Sequence, residues 1–171
     1  MSGPLDGIRV IDLSMLLPGP LCSQHLADMG ADVIKIENPR VPDMTRYFDA
    51  QYSGTEKPEA SKDSAMFRLL NRNKKSVNLN VMRPEGREVL LRLLENADVL
   101  LEGFRPGKME ELGIGYSNLK ERFPRLVYCA ISGYGDGGPL RDFAGHDGNY
   151  TARAAVLGLT GAAGPVVPGI Q

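Results

Sequence analysis

Residues 8–37, IRVIDLSMLLPGPLCSQHLADMGADVIKIE, decide the fold of this chain. Two short apolar runs, Ile8–Leu13 and Val33–Glu37, are rich in β-branched residues and predict strands. Between them, Leu21 to Met29 has a helical pattern that ends at Gly30. A strand, a helix and a second strand in this order are typical of a parallel β–α–β unit whose sheet is buried on both faces.

The rest of the chain repeats this alternation. We predict further strands at 76–80, 99–101 and 126–132, and helices at 65–70, 84–94 and 147–157. The polar stretch 38–64 is long for a loop in a compact domain, which is typical of a functional or mobile segment. The sequence therefore predicts an α/β protein with a Rossmann-like parallel sheet and helices on both faces.

Composition narrows the class of protein. The chain has 171 residues and a formal net charge of -1, so no global field favours nucleic acid or an anionic membrane as a partner. It shows no signal peptide and no apolar run of bilayer length, and we expect a cytoplasmic protein, with an organelle matrix also open. Cys22 and Cys129 are predicted to be small buried hydrophobic residues, and no metal-ligand spacing occurs.

Ligands of open parallel sheets bind beyond the carboxyl ends of the strands. Four segments should lie at that edge: 14–20, 38–46, 103–107 and 132–146. A basic cluster occurs nearby, comprising Arg68, Arg72, Lys74 and Lys75, with further cations at Arg40, Arg46, Arg83 and Arg105. Spacing alone leaves two interpretations equally open for this cluster, a phosphate site and a solvated face.

Two glycine-rich segments follow the last predicted strand. The run 133–138 is not GxGxxG, Pro139 stands where a phosphate-binding helix would begin, and no GxSxG elbow is present. A nicotinamide dehydrogenase and an α/β-hydrolase are therefore disfavoured. In the segment GHDGNY (145–150), His146 lies between a loop and a predicted helix and is a candidate general acid or base, whereas His25 is predicted to be structural.

Several motifs together resemble the family III CoA-transferases (CaiB/BaiF type) along the whole chain. They are PLDGIRVIDLS (4–14), PGP (18–20), GADVIKIE (30–37), NRNKKS (71–76), DVLLE (98–102), FRPG (104–107) and SGYG (132–135). The GHDxNY segment looks more like the α-methylacyl-CoA racemase branch than the true transferases, which more often carry a Tyr–Asp pair there.

This resemblance implies that residues 1–171 are the N-terminal part of a large CoA-binding Rossmann-like domain. The family's small domain and returning C-terminal segment would lie outside the chain, and two copies would form an interlocked homodimer. An acyl-CoA would be the substrate, with no other cofactor and no metal. The implied CoA-binding residues are Leu16, Leu17, Arg40, Leu79, Phe104, Arg105, Ser132, Tyr134, Gly145, Asp147, Asn149 and Tyr150. Family members often have Arg where this chain has Asn38, and Arg40 is the expected replacement.

Three functions are open at this point. The first is racemisation of 2-methylacyl-CoA thioesters, in which His146 moves the α-proton on one face and an Asp beyond Gln171 acts on the other. The second is a CoA-transferase that moves CoA between carboxylic acids, with that same Asp as the nucleophile. The third is a CoA-binding or dimerisation fragment that is catalytically incomplete by itself.

Overall fold

Five parallel strands form one sheet in a computed structural model that describes residues 3–48 and 63–159. The strands are β1 (Arg9–Asp12), β2 (Asp32–Glu37), β3 (Lys75–Asn78), β4 (Val99–Glu102) and β5 (Val127–Ala130). Their order across the sheet is β3-β2-β1-β4-β5, and every neighbouring pair is parallel. The predicted Rossmann-like α/β fold is confirmed.

Six helices accompany these strands in the described part of the chain. They are α1 (Pro18–Asp28), α2 (Ala65–Leu70), α3 (Pro84–Leu94), α4 (Lys108–Glu111), α5 (Tyr116–Leu119) and α6 (Asp147–Arg153). Two 3-10 turns, Met44–Tyr47 and Val156–Leu159, complete the list. Residues 49–62, within the predicted long loop, and the apolar end of the chain from residue 160 lie outside the described residues.

Two helix boundaries differ from the sequence prediction. Helix α1 begins at Pro18 rather than Leu21, because a proline fits the first helical position, where its missing N–H has no partner to lose. The last predicted helix, 147–157, ends at Arg153. Ala155 has a φ of 60°, a left-handed conformation that a continuing α-helix does not contain.

Helices cover both faces of the sheet, as the sequence predicts. Val10 of β1 packs on one face with Val33 and with Ala27 of α1. The next residue, Ile11, points to the other face and packs with residues of α3, α4 and α5, among them Leu90 and Met109. The alternation of side chains along each strand therefore divides the apolar core into two layers.

The chain divides into two compact units, residues 1–131 and 132–171. The first contains the sheet and helices α1 to α5, and the described part of the second contains α6. In the described residues, no helix is both long enough and apolar enough to span a bilayer.

The prediction that both cysteines are buried is wrong for Cys22, which is exposed, while Cys129 is half-buried in β5. The buried residues of α1 are Gly19, Pro20, Ser23, Gln24 and Ala27. Their helical spacing places Cys22 on the outward side of the helix.

We predict that Gly86→Ala destabilises the protein, although alanine is normally favoured over glycine in a helix by about 0.8–1 kcal/mol. A Cβ at this buried position of α3 would overlap the backbone carbonyl of Asn80. The free energy of unfolding in urea should fall by about 1–3 kcal/mol, the usual range for overpacking. In the control Gly148→Ala the new methyl group meets nothing within 4 Å, and no loss is expected. Equal stability of the two variants would contradict this account.

Candidate functional site

The carboxyl ends of the five strands meet at one edge of the sheet, since all strands are parallel. After β1 the chain moves to β2 and β3 on one side, and it then returns to β4 on the other side of β1. The loops after β1 and β4 therefore diverge, and such a switch point is where open α/β sheets hold their ligands. The predicted residues at this edge are Leu16 and Leu17 after β1, Arg40 after β2, Leu79 after β3, and Phe104 and Arg105 after β4.

Asp12, at the end of β1, organises the start of the β1–α1 loop, residues 13–17. One carboxylate oxygen accepts hydrogen bonds from the backbone N–H and the hydroxyl of Ser14, and the other accepts from Ser23 Oγ at 2.5 Å. All three residues are buried. A Cβ at Gly19 would overlap the Ser14 side chain, so the first turn of α1 approaches this loop as closely as only glycine permits.

A buried ion pair holds the same loop from β2. The ammonium of Lys35 lies 3.0 Å from Asp43 Oδ2 and donates to the backbone carbonyl of Ser14 at 2.9 Å. Asp43 Oδ1 accepts from the backbone N–H of Leu16 at 3.2 Å and from Thr45. The two charged side chains are only 2% and 0% exposed. The backbone of the loop is therefore fixed by side chains from beneath the edge.

Lys74, just before β3, forms a second buried contact with Asp12, at 3.4 Å. Its ammonium also donates to Ser23 Oγ, to the carbonyl of Pro20 and to Asn71 Oδ1 at 2.7–3.1 Å. Desolvation by burial lowers the pKa of Lys74 to about 8, and the charge of Asp12 opposes that shift. This lysine ties the start of β3 to β1 and α1.

Arg46 is likewise engaged beneath the edge. It donates to both carboxylate oxygens of buried Glu37 at 2.9–3.3 Å, reaches Asp63 at 2.5 Å, and lies 3.7 Å over the Phe67 ring. Burial lowers the pKa of Arg46, but the hydrogen bonds to the two carboxylates raise it above its ordinary value. Arg46 therefore connects β2 to the segment that leads into α2.

The structure separates the basic cluster predicted from the sequence. Arg72 is paired with Asp28, Lys75 is paired with Asp32, and Lys74 is buried against Asp12. Hydrogen bonds from Arg72 lower the pKa of Asp28, and those from Lys75 and then Arg9 lower the pKa of Asp32. Lys74 is therefore withdrawn from a ligand by its burial, while the ion-paired Arg72 and Lys75 stay 45% and 69% exposed, and for these two the phosphate interpretation stays a prediction. Arg68 is exposed.

The edge nevertheless carries exposed cations and exposed apolar side chains. Arg40 and Arg105 are exposed, and so are Met15 and Leu16, at 42% and 43%. Asn38, where an arginine was expected from the resemblance, instead builds the turn that bears Arg40. Its carbonyl and side-chain oxygens accept from the backbone N–H groups of Val41 and Arg40, each at 3.0 Å.

The remaining predicted residues of this unit are partly buried. Leu79 and Phe104 are half-buried and pack against the larger core cluster. The backbone N–H of Phe104 donates to Glu102 Oε2 at 2.7 Å, and that of Leu79 donates to the Glu37 carbonyl at 2.8 Å. Leu17 is half-buried at the start of α1. These residues are anchored by the sheet itself.

In the second unit, two tyrosines gather the glycine-rich segments. The rings of Tyr134 and Tyr150 meet edge to face with centroids 5.2 Å apart, and Tyr150 donates to the Gly145 carbonyl at 2.8 Å. A Cβ at Gly133 or Gly145 would overlap or crowd the Tyr150 ring. The unit therefore brings together three of the predicted binding residues, Tyr134, Gly145 and Tyr150, with Gly133 beside them.

His146 is the N-cap residue of α6, and its side chain is exposed. Its backbone N–H donates to Asn149 Oδ1 at 2.9 Å, and its carbonyl accepts from the backbone N–H of Asn149 at the same distance. Asp147 and Ser132 are half-buried. Asn149 thus serves in the described unit as a capping residue that fixes the backbone from which the imidazole projects.

Sequence reasoning missed the buried residues that hold the edge, which are Asp12, Ser23, Lys35 and Asp43. A signal was available for two of them. Lys35 interrupts the strand VIKIE, and Asp12 ends the run IRVID, and a charge inside a buried parallel strand requires a partner. The identity of those partners depends on tertiary contacts.

Comparisons with known proteins agree with the fold. A family model described as CoA-transferase family III matches residues 5–171. An acyl-CoA transferase of Fusarium pseudograminearum is 45% identical over 160 residues, which cover 93% of this chain and 35% of that protein. A succinyl-CoA:glutarate CoA-transferase of Mus musculus is 38% identical over 169 residues, which cover 98% of this chain and 37% of that protein.

Among solved structures, the crystal structure of a CaiB/BaiF family protein from Brucella suis matches with a TM-score of 0.88 and 37% identity. The match covers 99% of this chain and 44% of that one. This chain therefore spans little more than a third of the length of the two curated relatives.

We predict that Lys74 adds stability as the pH rises above about 8. The folded protein releases this proton near pH 8 and the unfolded chain near its ordinary pKa of 10.5, so the unfolded state binds more protons between these values. The free energy of unfolding then rises with pH, by at most about 1.4 kcal/mol per pH unit. In chemical denaturation, the free energy of unfolding of wild type should rise relative to that of Lys74→Met between about pH 8 and 10.5.

Both proteins should carry Cys22→Ser, because partial desolvation of the thiol, although the residue is exposed, raises its pKa and would add a second titration. Lys75→Met removes the neighbouring exposed ammonium and is the matched control. The difference in unfolding free energy between wild type and Lys75→Met should not grow with pH. A stability difference between wild type and Lys74→Met that stays constant above pH 8 would contradict the prediction.

Proposed function

We propose a function from one premise, that this chain belongs to CoA-transferase family III. The proposal is that its carboxyl edge binds the CoA portion of an acyl-CoA, in an enzyme that transfers CoA between carboxylic acids. The chain spans 35% and 37% of the length of the two relatives described above. The transfer activity, which belongs to proteins of their full length, is therefore proposed and not observed for this chain.

One observation carries the proposal: exposed apolar and cationic side chains lie on loops at the carboxyl edge of a parallel sheet, next to its switch point. Leu16 offers an apolar surface, and Arg40 and Arg105 offer guanidinium groups on the loops that follow β2 and β4. A CoA molecule combines an adenine ring with phosphate groups, which such side chains recognise by contact and by charge-assisted hydrogen bonds. The predicted residues Leu17, Leu79 and Phe104 would support the same surface.

The names of the relatives favour CoA transfer over racemisation. Both curated proteins described above are named for transfer, one of them between succinyl-CoA and glutarate. Racemisation remains the second candidate because of His146, whose exposed imidazole at the start of α6 suits a general base. The two reactions differ in the role of that imidazole, since only racemisation requires it to move an α-proton.

We expect the 171-residue chain to bind CoA, and Arg40→Ala and Arg105→Ala to weaken the binding about tenfold each, as expected for loss of a charge-assisted contact. Titration calorimetry measures the dissociation constants. The control is Arg92→Ala, because Arg92 is exposed in the last turn of α3, which runs back from β3 toward the start of β4. Arg92 therefore lies away from the carboxyl edge, and its removal should leave affinity unchanged.

If wild type does not bind CoA, or if all three variants bind equally well, the proposed edge is wrong. Urea unfolding of each variant checks that a weakened affinity does not come from a damaged fold.

The role of His146 separates the two reactions in protein expressed from its complete reading frame. If the enzyme is a transferase, His146→Ala should leave CoA transfer from succinyl-CoA to a carboxylate acceptor within about tenfold of wild type. If it is a racemase, the variant should lose α-deuterium exchange of a 2-methylacyl-CoA in heavy water by about 10²–10⁴-fold, the range for a positioned acid or base. Asn149→Ala is a useful companion, since it removes the backbone cap and leaves the imidazole. Wild-type enzyme that exchanges deuterium and transfers no CoA would overturn the transferase assignment.

A further inference from the structure

We infer that Asp43 and Lys35 are positioning residues for CoA, which hold the β1–α1 loop in the shape that presents Met15 and Leu16. This inference rests on the proposed function, because it concerns the same edge. Neither residue is among the predicted binding residues, and neither can touch a ligand directly, since their side chains are 0% and 2% exposed. They act through the loop.

The contacts show how the loop is held. Lys35 donates to the carbonyl of Ser14 at 2.9 Å, and Asp43 accepts from the backbone N–H of Leu16 at 3.2 Å. These bonds bracket Met15, and the ion pair of 3.0 Å joins the two side chains that make them. A three-residue stretch of backbone is thus fixed at both ends by one buried pair.

The backbone at Leu16 explains why it needs holding. Leu16 has a φ of 67°, a left-handed conformation that is unfavourable for residues other than glycine. The charge-assisted bond from its N–H to Asp43 favours this conformation over the ordinary extended one. In return, the side chains of Met15 and Leu16 point away from the core and are 42% and 43% exposed.

Stability alone does not account for the pair. Replacing a buried ion pair by apolar residues of similar volume is often neutral or stabilising, so a fold does not require such a pair for its own sake. Here both members of the pair bind the backbone of an exposed loop at the switch point of the sheet. A rigid loop loses less freedom when a ligand binds, which is the usual basis of preorganised affinity.

Two double variants retain or remove the acceptor that Asp43 presents to the Leu16 N–H and to Thr45. In Lys35→Met with Asp43→Asn, both charges are removed, and an amide oxygen remains to accept from the Leu16 N–H. In Lys35→Met with Asp43→Leu, that acceptor is absent. We expect the first to retain CoA affinity within about threefold, and the second to lose about tenfold or more, the equivalent of one hydrogen bond to a charged group.

Hydrogen exchange of the Leu16 amide, followed by NMR, gives a readout that does not depend on CoA. Exchange should be faster than in wild type by about tenfold or more in the double variant with Asp43→Leu. In the double variant with Asp43→Asn, exchange should be close to that of wild type. Urea unfolding checks that each double variant is folded, and the Asp43→Leu variant should be the less stable of the two because it also leaves the Thr45 donors without an acceptor. A variant with an intact fold, an unprotected Leu16 amide and weakened CoA binding is the expected result.

The outcomes distinguish this inference from the proposed function. If wild type binds CoA and both double variants bind it equally well, the positioning role is wrong while the proposed edge stands. If the Leu16 amide is equally protected in both variants, the positioning role is also wrong. If wild type binds no CoA, the proposed function fails, and the inference fails with it.

Discussion

Two buried lysine–aspartate contacts under the carboxyl edge are the constraint on which the rest of the structure depends. Lys35 faces Asp43 and Lys74 faces Asp12, and all four side chains are almost fully excluded from solvent. A buried charge without a partner is strongly destabilising, so each partner must be delivered to its place for the sheet to close. β1, β2, the segment after β2 and the approach to β3 are therefore located relative to one another by charge as well as by apolar packing.

The positions of the partners determine the shape of the edge. The Asp12 carboxylate holds Ser14 and Ser23 of α1, and the Lys35–Asp43 pair holds the next residues of the loop. Apolar contacts on the two faces of the sheet set the strands in register but leave the loops undefined. Polar contacts beneath the loops fix the loop conformations. Separate control of strands and loops suits a protein whose ligand is expected at the strand ends.

The fold could be read from the sequence because local signals agreed along the chain. Ile8–Leu13, Val33–Glu37 and the stretch from Pro84 to Leu94 carry periodicity, capping and chain-breaking residues that point to the same elements. The ion-pair partners at the edge could not be predicted, because Lys74 and Arg72 are equivalent as sequence signals. Only the tertiary structure shows that Lys74 pairs with Asp12 and Arg72 with Asp28. The start of α1 was missed for a local reason, since Pro18 and Pro20 resemble loop residues although a first helical turn tolerates them.

The contact between Asp12 and Lys74 spans 62 positions of the sequence, and this separation bears on how the protein is made. While a ribosome is still synthesising the intervening segment, the carboxylate at the end of β1 lacks its ammonium partner and keeps its hydration. The first strand and helix can then associate through their apolar faces, but their junction stays wet until residue 74 has emerged from the exit tunnel. We therefore expect the nascent chain to complete this corner of the sheet late, after the first two strands are already available to pair.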